Sequence, residues 1–243
     1  MFRVISPNEI RAELGLSNPP FRLNDFRQYL GVQFVVGSGV RSGGAAIWRP
    51  SGVTVSLPGG SVEQNREDGS HELGHVANGD IGPDRPVLYR RGSGRGAALN
   101  PAIEDRATGW GMDALIGAGA LGIAVNHEQI KSVDDLARKF LVRKRFMSMA
   151  VRRYGFDGRV LDDPQRYARY IGSDAWRRVS NEVLSARPVC ERPLCNETAV
   201  AVGHRRFDRM EHEGPDDVEA LCPSCYAEVT LGAEVPVLQL DLF

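Results

Sequence analysis

Ser70-His71-Glu72-Leu73-Gly74-His75 holds the densest chemistry in this chain, and it reads H-E-x-x-H. On a helix, residues i and i+4 share one face about one turn apart, so His71 and His75 can both reach one metal ion. Glu72 follows the first histidine and can take a proton from a water that the metal activates. That is the working arrangement of a zinc peptidase. Gly74 weakens a helix by about 1 kcal/mol relative to alanine. A helix built only for packing has no need of it, so close approach by another element is expected there. Two imidazoles leave a tetrahedral catalytic ion short of one protein ligand.

The third ligand is expected from a second helix over Glu104 to Ile116. Ala107, Trp110, Gly111, Ala114 and Leu115 form one apolar or small stripe at helical spacing. Glu104 lies in the first turn at the edge of that stripe, where a carboxylate suits the helix N-terminus. It would complete a His, His, Glu set with one position open. Asp105 is the alternative if the register differs by one.

These residues resemble the ImmA/IrrE-type zinc metallopeptidases. That family's pattern is an arginine five positions before the first histidine, then H-E-L-G-H, then E-x-x-A-N-x-F-A-x-x-L-L-M-P. The chain has Arg66, His71 to His75, and Glu104-x-x-Ala107 followed by Trp110, Gly111 and Leu115. It departs at Thr108 for Asn, Trp110 for Phe, Gly111 for Ala, Ala114 for Leu, and Ile116-Gly117 for the closing Met-Pro. The resemblance implies a zincin-like core of helices and a small antiparallel sheet. It also implies a substrate, a helix-turn-helix repressor cut at one site in a stress, mobile-element or phage-defence response. Arg66 is expected to brace the active helix or to pair with an acid.

The elements around the motif fit a fold of mixed α+β class. Ser6-Pro7-Asn8-Glu9 reads as a helix cap with proline in the first turn. Asn18-Pro19-Pro20 breaks the chain, and Asn24 to Leu30 is a second short helix ended by Gly31. Three strands follow, Val32 to Val36, Ala45 to Arg49 and Val53 to Leu57. Asn78 to Pro101 is rich in Gly, Pro and Arg and reads as a loop, with Arg85, Arg90, Arg91 and Arg95 as a basic flap. Tyr89 and His127 are candidates for the group that stabilises a tetrahedral oxyanion, and no spacing selects between them.

Three domains are expected: 1–126 as the peptidase core, 127–186 as a helical, helix-turn-helix-like segment, and 187–243 as a small zinc module. In the middle segment, Ser132 to Phe140 and Arg143 to Tyr154 form the helix pair, opened by a Ser132–Asp135 capping box. Arg138, Lys139, Arg143, Lys144 and Arg145 make it locally basic. They are the candidate contacts to DNA, with single-stranded DNA as a candidate activator. Tyr167 to Val183 suggests one or two more helices.

Cys190 and Cys195 form one pair and Cys222 and Cys225 the other. This spacing fits a closed, structural four-cysteine zinc site. Two zinc ions per chain are therefore expected, one catalytic and one structural. The stretch from Gly203-His204 to Cys225 also resembles the HNH endonucleases, with His204 at the position of the general base. Asp217 stands there for asparagine and Tyr226 for the last metal-binding histidine, so the resemblance implies a degenerate treble-clef finger. Val235 to Phe243 alternates apolar residues and is expected to add a strand.

Composition is that of an ordinary globular protein, with 42% hydrophobic residues, 25% charged residues and a formal net charge of −1. No global field draws such a chain to nucleic acid or membrane, so any such partner must meet a local patch. Met1 to Ser6 lacks an apolar signal core, and no apolar run approaches roughly 18 residues. A cytoplasmic location without a membrane partner is the expectation. Two further readings remain: a peptidase-like regulator that binds protein or nucleic acid without cleaving, and an HNH-type nuclease.

Overall fold

The computed structural model describes residues 4–37, 43–89 and 100–231. Among them the fold is mixed α+β, with ten α-helices and six strands. The chain divides into two compact units, Met1–Leu121 with Ala137–Ala150, and Gly122–Leu136 with Val151–Phe243. Residues of the 127–186 segment are shared between them.

In the first unit, α1 (Pro7–Leu14) opens on a capping box. The Ser6 hydroxyl accepts from the Glu9 N–H, and the Glu9 carboxylate accepts from the Ser6 N–H at 2.8 Å. Next come α2 (Leu23–Tyr29), β1 (Gln33–Val36), β2 (Ala45–Arg49) and β3 (Gly52–Leu57). The long helix α3 (Val62–Ala77) follows, then β4 (Val87–Tyr89) and α4 (Pro101–Leu115). Ile10, Phe26, Val55, Leu57, Leu73 and Trp110 are buried together as its core. Trp110 donates its indole N–H to the Ile5 carbonyl at 2.8 Å and meets Phe26 edge-on.

The sheet order is β1-β3-β2-β4. β2 runs antiparallel to β3 and β4, whereas β1 runs parallel to β3. The expected antiparallel sheet is thus a mixed one. The cause is the tight β2–β3 hairpin, where Arg49 faces Gly52. It sends β3 back alongside β1, so β1 pairs with the third strand and not with the second. β4 is a fourth strand inside the stretch read as a loop, and at three residues it is too short to show periodicity.

α3 and α4 pack closely enough that alanine would not fit at their crossing. A Cβ on Gly74 would stand 2.5 Å from the Ala107 carbonyl oxygen, and one on Gly111 would stand 2.8 Å from the Ser70 hydroxyl. This is the close approach that Gly74 signalled.

The chain passes between the units within α5 (Ala118–Asn126), α6 (Val133–Phe140) and α7 (Lys144–Arg153). Ser132 caps α6 by accepting from the Asp135 N–H at 3.3 Å. The second unit continues with α8 (Pro164–Ile171), α9 (Asp174–Ala186), the antiparallel pair β5 (Ala201–His204) and β6 (Val218–Leu221), and α10 (Pro223–Leu231). Its core joins Tyr170, Trp176 and Val183 to Val202, Val218 and Ala220. No single helix among the described residues is long and apolar enough to cross a membrane. Arg90, Arg91, Arg95 and Val235 to Phe243 lie outside the described residues.

Candidate metal centres

Two helices build the first centre. The Ser61 hydroxyl caps α3 by accepting from the Gln64 N–H, and Asn100 caps α4 ahead of Pro101. With α4 seated against Gly74, Glu104 in its first turn meets both histidines. His71, His75 and Glu104 form one group whose ligand atoms all lie within 4.8 Å of one another, a group that can hold a metal ion. Nε2 of His71 and Nε2 of His75 are 3.1 Å apart. The Glu104 carboxylate reaches them at 3.2 and 3.6 Å. Asp105 is exposed, so the register is that of Glu104.

The outer partners decide which nitrogen faces inward. His75 Nδ1 lies 3.1 Å from an Asp80 carboxylate oxygen, which can only accept, so the Nδ1–H donates and Nε2 keeps its lone pair. Asp80 is in turn held by the Arg106 guanidinium from α4. His71 Nδ1 lies 3.1 Å from the Thr108 hydroxyl, which can accept from it or donate to it, so this contact orients the ring with Nε2 inward without fixing the tautomer. Thr108, one of the departures from the family pattern, thus touches a ligand. Two inward-facing Nε2 atoms and a carboxylate then converge on one point, a donor set that a cation can join. Burial lowers the pKa of His75, as does the neighbouring His71, while Asp80 and Glu104 pull it upward. The two imidazoles are sealed, with side chains 4% and 2% exposed, but Glu104 is 28% exposed, so the centre opens on its α4 side.

Glu72 is buried in the same turn. A Cβ on Gly44, just before β2, would stand 2.5 Å from the Glu72 Cγ, so only glycine leaves room for this side chain. Arg66 braces α3 through backbone carbonyls: it donates to Phe21 and Leu141 at 3.0 Å and to Phe140 at 3.3 Å. Of the basic residues expected on a nucleic-acid face, Arg138, Lys144 and Arg145 are exposed and Lys139 is half-buried. Arg143 is committed elsewhere. Its guanidinium pairs with the buried Glu67 of α3, and its backbone N–H donates to the same carboxylate. His127 is exposed in the second unit. Tyr89 closes β4, and its side chain lies outside the described residues.

Cys190, Cys195, Cys222 and Cys225 form the second centre, again with ligand atoms within 4.8 Å of one another. All four are free thiols. Sγ of Cys195 and Sγ of Cys222 are 3.8 Å apart, and the Cys225 N–H donates to the Cys222 sulfur. Burial pushes the Cys190 thiol up, but the N–H groups of Cys222 and Arg192 outweigh it and hold the pKa at about 7. Leu221 packs beside the cluster.

His204 ends β5 with its side chain fully buried. Its Nε2–H donates to Glu213 at 3.0 Å, and the Tyr167 hydroxyl covers Nδ1 at 3.4 Å. Its ring stacks on Trp176 at 4.5 Å. Asp217 accepts from the Gly214 N–H at 2.7 Å and so holds the turn before β6. Sequence reasoning missed Asp80, Arg106, Thr108 and Glu67. Each works through a contact across helices or a loop, and local spacing carries no sign of it. Comparison with protein-family models, with curated proteins and with solved structures returns no match.

Proposed function

We propose that the protein is a zinc-dependent endopeptidase of the ImmA/IrrE kind. The observation that carries this reading is the convergence of His71, His75 and Glu104 beside a buried Glu72. Around a tetrahedral ion with nitrogen and oxygen ligands at about 2.0–2.1 Å, donor atoms stand about 3.3–3.4 Å apart. The separations of 3.1, 3.2 and 3.6 Å bracket that value. Sulfur ligands at about 2.3 Å stand about 3.8 Å apart, and the Cys195–Cys222 separation is 3.8 Å. Both donor sets therefore fit zinc, the first with a position to spare and the second closed.

Zinc held by His71, His75 and Glu104 would supply Lewis-acid polarisation of a water and of a scissile carbonyl. Glu72 takes the proton from that water and later hands it to the leaving amine. Asp80 and Thr108 keep the two imidazoles turned inward, and Arg106 fixes Asp80. An extended substrate pairs with the edge strand β4, one strand out from β2, whose leading Gly44 touches Glu72. The helix-turn-helix repressor as substrate comes from the family resemblance alone.

The seated Glu72 favours a cleaving enzyme over a binding scaffold, which has no use for the base. The sealed His204 disfavours a nuclease, because Tyr167 occupies the nitrogen that a base would need. The test is hydrolysis of a proteome-derived peptide library and of candidate helix-turn-helix proteins by the zinc-loaded chain. Glu72→Gln is expected to abolish product while metal content stays at the parent's value. Product formation by that variant at the parent's rate, or none by the parent on either substrate set, defeats the reading.

A further inference from the structure

The second unit holds a cavity of about 480 Å³ that none of the four cysteines lines. Its size falls among small-ligand pockets, which run roughly from 300 to 1,000 Å³. The lining carries four cations, Lys131, Arg159, Arg192 and Arg205, against one carboxylate, Glu219. Glu219 is already divided between Arg192 at 3.3 Å and Arg205 at 3.6 Å. Arg205 also leans on Glu191. Arg159 donates to the neutral Asn126 side chain. Neither Lys131 nor Arg159 has a carboxylate at ion-pair distance among the described residues. The Nε of Arg192 is buried without a hydrogen-bond partner.

Like charges lining one cavity, two of them partly buried (Lys131 and Arg192) and two exposed (Arg159 and Arg205), repel one another until an anion joins them. Burial lowers the pKa of Lys131, Arg159 and Arg192 lower it further, and Glu219 opposes them. The arginine forks match the oxygens of a phosphate. Three aromatic rings, Tyr167, Phe207 and Tyr226, share the wall with the aliphatic Leu161, Ile171 and Val229. Tyr167 meets Phe207 edge-on at 5.5 Å and is tied to His204, so this wall is set before any ligand arrives. Aromatic rings beside cations accept a base and its phosphate together.

We infer that this cavity binds a nucleoside phosphate, its phosphate on Lys131, Arg159 and Arg192 and its base against Tyr167 and Phe207. The inference stands apart from the peptidase reading and needs no cleavage to be tested. The same chemistry is offered by a free nucleotide and by the phosphorylated end of a nucleic-acid strand.

The zinc-loaded full chain is titrated calorimetrically with each ribonucleoside 5′-monophosphate, with inorganic phosphate and with the parent nucleosides. Saturable binding of at least one monophosphate is expected, at least tenfold tighter than phosphate or nucleoside alone. Lys131→Ala with Arg159→Ala weakens it roughly tenfold or more, with metal content and unfolding midpoint kept. Should that variant lose its fold, Lys131→Met alone carries the test. Absence of saturable binding by every monophosphate overturns the inference, and so does parent-like binding by a folded variant. Displacement by a 5′-phosphorylated oligonucleotide, but not by the same strand without phosphate, supports it and identifies a strand end as the source. Equal displacement by both strands overturns it, since the cavity then does not read the phosphate.

Discussion

Gly74 of α3 faces the backbone of Ala107 on α4 so closely that a methyl group would stand 2.5 Å from the Ala107 carbonyl oxygen and 3.0 Å from its Cα. Backbone cannot swing aside as a side-chain tip can. In an ordinary exposed helix, glycine to alanine stabilises by about 1 kcal/mol. Here the sign reverses, because α4 must back away and Glu104, one turn earlier on α4, moves with it. Gly74→Ala is expected to keep its helical circular dichroism while losing tenfold or more in metal affinity at the first centre. A metal titration beside a thermal melt checks this. A variant both more stable and equally tight in binding would show that the helix crossing does not place Glu104.

Asp80 acts on the metal centre through His75, and Arg106 acts through Asp80. Loss of such an outer partner typically costs 10–100-fold in metal affinity. Asp80→Ala is expected to fall in that range. Arg106→Ala should cost less, because its side chain is 52% exposed and its charge is screened by water. Competition with a colorimetric chelator measures both. Equal losses would mean that the ion pair, and not the hydrogen bond to His75, holds the ligand in place.

The His71, His75 and Glu104 group was legible because it obeys local rules. His71 and His75 share a helix face, Glu104 sits in a first turn, and Gly74 breaks helix propensity for a reason that packing supplies. The caps at Ser6 and Ser132 were legible for the same reason. What was hidden depends on distance in sequence. The parallel β1–β3 pairing follows from a hairpin that forms beyond β1. Arg106 meets Asp80 only once α4 has packed on α3, and Asp80 reaches back to His75 from the turn that follows α3. Arg143 reads as one of a basic run, and nothing near it says that its partner is Glu67. The cavity cations come from four separate segments, so no window of sequence contains them.

Arg143, a candidate phosphate contact by sequence, pairs with the buried Glu67. Glu67 is buried, and burial raises its pKa against the pull of Arg143. Removing Arg143 leaves a carboxylate with its best partner gone. Arg143→Ala should destabilise the first unit by about 1–2 kcal/mol at neutral pH, a figure reduced because the arginine is half exposed. The sign with pH follows from the raised carboxyl. Folded Glu67 holds its proton to higher pH than in the unfolded chain, and higher still in the variant. The penalty is thus small through the ordinary glutamate range and grows as pH rises above it, past the raised pKa of folded Glu67. Urea melts across pH 4 to 8 test this, alongside DNA binding by the same variant. A loss of DNA affinity with unchanged stability would restore the basic-face reading.

The two metal centres should fail in different ways. The first has an exposed flank at Glu104, and its ligands are already ordered by α3 and α4, so His71→Ala should lose one ion per chain and keep the fold. The four cysteines would enclose theirs, and Leu221 and Val229 pack beside them. In a small closed site of this kind, binding energy is folding energy. Cys222→Ser should therefore lose the other ion and the cooperative unfolding of the second unit together. Protons compete for the same thiolates, and burial and neighbouring thiols raise Cys222 and Cys225 while Cys190 is lowered, so acidification should weaken the second ion. Elemental analysis of the parent is expected to give two zinc ions per chain. An EDTA series should strip the open centre first and, only at higher chelator, the closed one with its fold. If Cys222→Ser retained both ions, or lost its ion and still melted like the parent, the four cysteines would not be a structural zinc site.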